Sequence, residues 1–278
     1  MRAVTWKRAD NGLIFPAAPG VYIAPGQNTP LAARASMLST LLPEDVVVAR
    51  RTAAWIWGLD VLPPGTKEAQ WPVDVITDPI DPTHIVTQSG VRVTTLTRTA
   101  LDCTRWLPRL EALAALDQFL RRDVDLTELK SMAQALQGQP NAARLLTLLR
   151  LGDPGAASPA ESWTRLIVMD AGFPRPQTQI PVPGPHNANL YVDLGYTKYR
   201  VGIEYDGEQH HTGQAARTRD HHRRRWLATE KGWEIIPLTK EFLYTPKPYL
   251  AALLTTLQTR GWTPTTPQLT KLTTHLSR

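Results

Sequence analysis

The sequence predicts an α/β protein, and three observations carry that reading. Short β-branched runs around Val46 to Val48, Val73 to Ile76 and Val91 to Thr94 are bounded by Gly, Pro and Asp, as strands of a small sheet are. From Thr97 to Leu149 the pattern changes to the 3.6-residue period of helices. Beyond Gly152-Asp153-Pro154-Gly155, strand and helix patterns interleave again, which marks a second folding region.

Taken in order, Leu13 to Gly26 is rich in Pro and Gly around a strand-like Val21-Tyr22-Ile23. Residues 31–42 read as a helix stopped by Pro43, and Arg51 to Leu59 as a short helix. Leu110, Leu113, Ala114, Leu116, Asp117 and Leu120 set one helix, with two more over Leu126 to Leu136 and Ala142 to Arg150. Ser158 followed by Pro159 and Glu161 is a strong helix start, because Ser caps, Pro suits the first turn and Glu opposes the free N–H groups. That helix runs to Ala171 and stops at Gly172. A Pro-rich strand (Gln177 to Pro183), a hairpin candidate (Leu190–Leu194 with Val201–Tyr205), a basic helix (Gln214–Lys231), a strand from Trp233 to Leu238 and a last apolar helix (Pro248 to Thr259) follow. This gives an α+β region at 1–95, a helical connecting region at 96–153, a second domain at 155–262 and a flexible Thr/Pro-rich tail at 263–278.

The composition excludes several classes. The 278 residues suit two or three units, and 42% hydrophobic content is enough for buried cores. Cys103 is the only cysteine, so there is no intrachain disulfide and no cysteine-rich zinc finger. No apolar run approaches membrane-spanning length and the first residues lack a secretory apolar segment, so a soluble cytoplasmic protein with no membrane partner is expected. The net charge of +6 is uneven. Residues 1–154 hold 16 Lys and Arg against 15 Asp and Glu, whereas residues 155–278 hold 15 against 10. The basic second half points to a polyanion.

That half also carries a set of acids. With 197–200 as a hairpin loop, residue 196 pairs with 201, and counting outward puts Asp193 opposite Glu204. Strict alternation places Val192 and Leu194 on one face and Tyr191 and Asp193 on the other. Two opposed carboxylates repel, and a divalent cation between them removes the penalty; hard oxygen donors suit Mg²⁺ or Mn²⁺. Expected ligands are Asp193, Glu204 and the Tyr205 carbonyl, with Glu161 helping through a bound water. Asp206, His210 and His211 follow directly, one of the two histidines moving a proton. Arg219, Arg223, Arg224 and Arg225 lie on the basic helix as candidates to hold a phosphate backbone.

These residues carry a resemblance. Ser158-Pro159-Ala160-Glu161, Val192-Asp193-Leu194, Ile203-Glu204-Tyr205-Asp206-Gly207-Glu208-Gln209-His210, Arg219-Asp220 and Gly232-Trp233 make residues 155–262 similar to the restriction-endonuclease-like PD-(D/E)XK superfamily. The branch they resemble is related to very-short-patch repair endonucleases. The resemblance implies a mixed sheet flanked by helices and a Mg²⁺-dependent DNA endonuclease or nickase. Asp206 stands where that superfamily has its Lys, and Pro237 where relatives commonly carry a basic residue. In the first half, Gly20-Val21-Tyr22-Ile23, Thr52 to Leu59 and Arg98-Thr99-Ala100-Leu101-Asp102 resemble AbiEi-type antitoxins of actinobacteria. This implies a partial winged-helix-like region and a toxin or other defence-system protein as a partner. The competing expectations are an inactive antitoxin-type DNA-binding regulator and a protein-interaction module in phage defence.

Overall fold

The computed structural model describes residues 38–39, 42–59, 61–64, 74–76, 80–185, 188–206 and 214–277, with the backbone alone at 15–18, 21–23 and 214–221. Contacts divide the chain into two compact units, Met1–Gly152 and Asp153–Arg278. Residues 96–152 therefore fall within the first unit, where the helix Leu96–Trp106 packs against the helix Arg50–Ile56.

In the first unit, β1 (Phe15–Ala18) and β2 (Val21–Ile23) form an antiparallel ribbon. A four-stranded sheet has β3 (Val47–Val48) between β4 (Val75–Ile76) and β6 (Val91–Thr94), with β5 (Ile85–Gln88) at the far edge. Strand β5 escapes the sequence reading. It is joined to β6 through Ser89 (φ 46°) and Gly90 (φ 86°), a tight turn that needs two left-handed residues in succession. Helix α1 (Arg50–Ile56) buries Ala53, Ala54 and Ile56. The helix expected at 31–42 lies mostly outside the described residues.

Helices α2 (Leu96–Trp106), α3 (Arg109–Leu120), α4 (Leu126–Ala135) and α5 (Ala142–Leu151) complete the unit. Helix α3 is buried almost all round, at Ala112 to Asp117, Phe119 and Leu120, so it is the central helix rather than one with a single apolar stripe. Two ion pairs tie helices: Arg98 with Asp102 at 2.9 Å within α2, and Arg51 of α1 with Glu111 of α3.

The second unit runs helix, three strands, helix, strand. It comprises α6 (Pro159–Asp170), β7 (Gln177–Pro183), β8 (Asn189–Tyr196), β9 (Val201–Tyr205), α7 (Gln214–Lys231) and β10 (Glu234–Leu238). The sheet order is β10-β9-β8-β7. Strands β7, β8 and β9 are antiparallel neighbours, whereas β10 lies parallel to β9, so α7 is the crossover that a parallel pair requires. Helices α8 (Lys240–Tyr244), α9 (Lys247–Thr259) and α10 (Thr266–Ser277) follow.

Leu194, Ile203, Leu238, Val168, Leu253 and Leu257 share one core cluster, and Phe173 stacks on Trp262 at 5.6 Å beside them. The tail expected to be flexible is instead α10. Its Leu272 is buried in this core, and its backbone passes so close to Gly172 that a Cβ there would lie 3.0 Å from the Gln268 carbonyl. Burial of one leucine stripe decides the outcome, which the Thr-rich composition conceals. A second cluster, Ile180, Val182, Val192, Leu227 and Trp233, includes Leu227 from α7.

The hairpin register is as counted from Tyr196 opposite Val201 to Leu194 opposite Ile203, where the pairing ends one step short of Asp193 and Glu204. The facing is not. Leu194 packs with Ile203, but Val192 lies 2.6 Å from where a Cβ on Gly202 would stand, and Gly202 and Ile203 face opposite ways. Alternation along β8 therefore breaks at Asp193. Opposite it on β7, Gln179 has φ 45°, and paired residues are Thr178↔Leu194 and Ile180↔Val192 on either side. The left-handed residue on β7 thus lies at the level where the facing of β8 changes.

Candidate active site

Helix α6 brings the first acid. Ser158 Oγ accepts from Glu161 N at 3.2 Å, and Ser158 Oγ donates back to Glu161 Oε1 at 3.0 Å. Ala157 N donates to Glu161 Oε2 at 2.9 Å, a near relative of the capping box. Glu161 is thus fixed at the helix start, 7% exposed. Gln179 Nε2 gives it a further hydrogen bond, at 3.1 Å to Oε2.

The second acid is Asp193, at the turnover in β8. Its Oδ2 accepts from Tyr205 N at 3.3 Å, so its carboxylate reaches the end of β9. Gln179 stands at the level of this carboxylate, between the pairs Thr178↔Leu194 and Ile180↔Val192, and helps to lower its pKa. The third acid, Glu204, is 3% exposed. Arg223 of α7 grips it with both nitrogens, Nη1 to Oε2 and Nη2 to Oε1, each at 2.8 Å, and also donates to the Tyr191 carbonyl. Arg224 Nε adds a bond to Glu204 Oε2 at 3.3 Å, and its Nη2 pairs with Asp206.

The electrostatics follow from this crowding. Burial, then the charge of Asp193, pushes the Glu161 carboxyl up to about 7, against the pull of its hydrogen bonds from Ala157, Ser158 and Gln179. Burial, then the charge of Glu204, raises Asp193 as well, with Tyr205 N, Arg223 and Gln179 opposing. Asp193 thus makes Glu161 harder to ionise, and Glu204 does the same to Asp193.

Of the residues expected at the site, Glu161, Asp193, Glu204 and Asp206 are brought into one connected group. Arg223 and Arg224 join it as partners of the acids, whereas Arg225 is exposed on α7. Arg219 lies on α7 with its side chain outside the described residues, and His210 and His211 lie outside them entirely. Among the described residues no three His, Cys, Asp or Glu side chains converge closely enough to hold an ion by themselves. The donor set still fits a hard divalent cation in kind. It offers only oxygen, and it contains two acids raised by burial and then by a neighbouring acid, Glu161 by Asp193 and Asp193 by Glu204, a repulsion that such an ion relieves.

Sequence reasoning missed Gln179. Its signal is weak: a single amide in the Pro-rich Gln177-Thr178-Gln179-Ile180-Pro181, with nothing to announce its left-handed backbone. Cys103, by contrast, is fully buried and burial raises its thiol well above the usual range, so it is a core residue and no nucleophile.

Two proteins of Mycobacterium tuberculosis, from strains CDC 1551 / Oshkosh and H37Rv, are each 29% identical to this chain over 229 residues, 79% of this chain and 83% of the relative. Both are described as uncharacterized proteins. No family model matches the chain, and no solved structure does. No helix among the described residues is long and apolar enough to cross a membrane.

Proposed function

We propose that the second unit is a Mg²⁺- or Mn²⁺-dependent DNA endonuclease or nickase of restriction-endonuclease-like fold. The observation that carries this reading is the run of three buried or half-buried acids, Glu161, Asp193 and Glu204, drawn from α6, β8 and β9 at a break in the sheet. A chain selected for stability alone would not place like charges so. The strand and helix order, with one parallel strand after the crossover helix, agrees with the resemblance seen in the sequence.

Asp193 and Glu204, with the Tyr205 carbonyl, would hold the ion. When bound, it lowers the pKa of a coordinated water and offsets charge on the phosphate. Glu161 is poised to take the proton of the attacking water on Oε1 or Oε2, since a carboxylate with a pKa of about 7 is a competent base near neutrality. Arg225 and Arg219 on α7 hold the nucleic-acid backbone, and Arg223 and Arg224 stand where a phosphate can share them with the acids.

The test is conversion of supercoiled plasmid by the full chain with Mg²⁺ or Mn²⁺. Wild type nicks or linearises the DNA, Asp193→Ala does not, and Glu161→Gln is slower by on the order of a hundredfold. The rate rises with pH as Glu161 loses its proton in the wild type, and this limb is lost in Glu161→Gln. DNA affinity falls steeply with salt.

One observation favours a second reading. Arg223 and Arg224 already neutralise Glu204, which suits a non-catalytic DNA-binding regulator of a toxin–antitoxin pair. Salt-sensitive DNA binding by the wild type, with no cleavage in either metal, decides for that reading.

A further inference from the structure

The proposed site contains a side chain that no carboxylate chemistry requires. Gln179 lies in the middle of β7 with φ 45°, a region that L side chains other than Asn and Asp rarely enter. The flanking pairs Thr178↔Leu194 and Ile180↔Val192 keep their register, so the strain is not the by-product of a slipped strand. Strain of this kind persists where the surroundings over-determine it. Here the surroundings are two acids. Gln179 Nε2 donates to Glu161 Oε2 at 3.1 Å, and the register places Gln179 level with Asp193 on the neighbouring strand.

An amide nitrogen carries two N–H groups and no charge. It can therefore bridge two carboxylates while leaving their full negative charge available. Lys or Arg at 179 would bridge them equally well but would neutralise the pair and compete with a cation. Glu at 179 would add a third repulsion. A hydrophobic side chain would leave both acids short of a donor. The left-handed turn at 179 lies on β7 at the level of Asp193, which puts the amide beside the place where the facing of β8 changes.

Resting on the nuclease reading of this unit, we infer that Gln179 is a positioning residue. Its amide spaces Glu161 from Asp193, and it keeps both carboxylates aimed at the position of the divalent ion without diminishing their charge. The strained backbone is the means of delivering that amide.

Two substitutions relieve the strain and withdraw the amide from the acids. Gln179→Gly removes both. Gln179→Asn keeps an amide on a residue that tolerates the left-handed region, but one methylene too short to reach the two acids. The full chain is titrated with Mn²⁺ by calorimetry, its stability is measured by urea unfolding, and kcat and KM are measured on plasmid DNA. Both variants are expected to be as stable as the wild type or more so. Their Mn²⁺ affinity falls ten- to hundredfold, the usual effect of removing a partner that orients a ligand, and kcat falls while KM for DNA is unchanged. Wild-type Mn²⁺ affinity in Gln179→Gly overturns the inference and leaves the nuclease reading intact. Affinity lost only in proportion to lost stability, in both variants, also overturns it, because Gln179 is then structural. A wild type that binds no Mn²⁺ overturns the inference together with the reading on which it rests.

Discussion

Both units bury acids, and they treat them oppositely. In the first unit Asp102, 3% exposed, is met by Arg98 at 2.9 Å, and Glu111 is paired with Arg51. Burial raises Asp102, and every other influence on it, from Arg98, Arg50 and Arg105, is a cation that lowers it. In the second unit burial likewise raises Glu161, but the next influence is another acid, Asp193, and its hydrogen-bond donors are neutral. A buried acid with its own arginine is a fastening within the fold. A buried acid beside another acid holds charge in reserve for something that is not part of the chain. Glu204 stands between these cases, since it raises Asp193 and yet is gripped by Arg223 and Arg224.

The largest effect expected from breaking this contrast is in the first unit. Arg98→Ala removes the hydrogen-bonded partner of buried Asp102, with only the more distant charges of Arg50 and Arg105 left, and should cost about 3 kcal/mol, the low end for breaking a buried pair. Urea unfolding followed by circular dichroism reads it.

In the second unit the sign reverses. The folded carboxyl of Glu161 titrates at about 7 against an ordinary value of 4.5. The folded state therefore binds the extra proton between these values, and its stability falls as pH rises through that window. The penalty is absent below about pH 4.5 and complete above about pH 7, where it reaches roughly 3 kcal/mol. Glu161→Gln should remove it, so the variant is the more stable at pH 8 and the two are alike at pH 4; unfolding at both pH values checks this.

Arg223→Gln sharpens the intermediate case. Glu204 keeps Arg224, so the loss of stability is about 1–2 kcal/mol, while affinity for Mn²⁺ rises because a competing cation has gone. Calorimetric titration measures that gain. The smallest effect is at Glu234, whose bond to Arg260 is half exposed. Glu234→Gln should change stability by less than about 1 kcal/mol, as exposed pairs do.

Much of the fold is legible in the sequence because local chemistry settles it. Ser158, Pro159 and Glu161 announce α6, and loop length alone gives the pairing of Tyr196 with Val201. What is not legible depends on contacts between distant residues. Helix α10 is hidden by its threonines until Leu272 finds the core. The turnover at Gln179 and Asp193 breaks the alternation on which any strand reading depends, and only packing reveals it: Val192 against Gly202 and Leu194 against Ile203. The acids Glu161, Asp193 and Glu204 are found from their pattern. Their amide partner is not, because a lone Gln carries no periodicity. Nor does a run of arginines reveal that Arg223 and Arg224 turn inward to Glu204 and Asp206 while Arg225 faces solvent.

The most direct test of the claim that the second unit's acids await an external cation is thermal unfolding of the full chain with and without Mn²⁺, for the wild type and for Asp193→Asn. An ion that binds only the folded site stabilises it by about 2.7 kcal/mol at a hundred times its dissociation constant. The account predicts that Mn²⁺ raises the melting of the second unit, leaves that of the first unmoved, and has no effect on either unit in Asp193→Asn. No shift in the wild type, or an equal shift in Asp193→Asn, would contradict it.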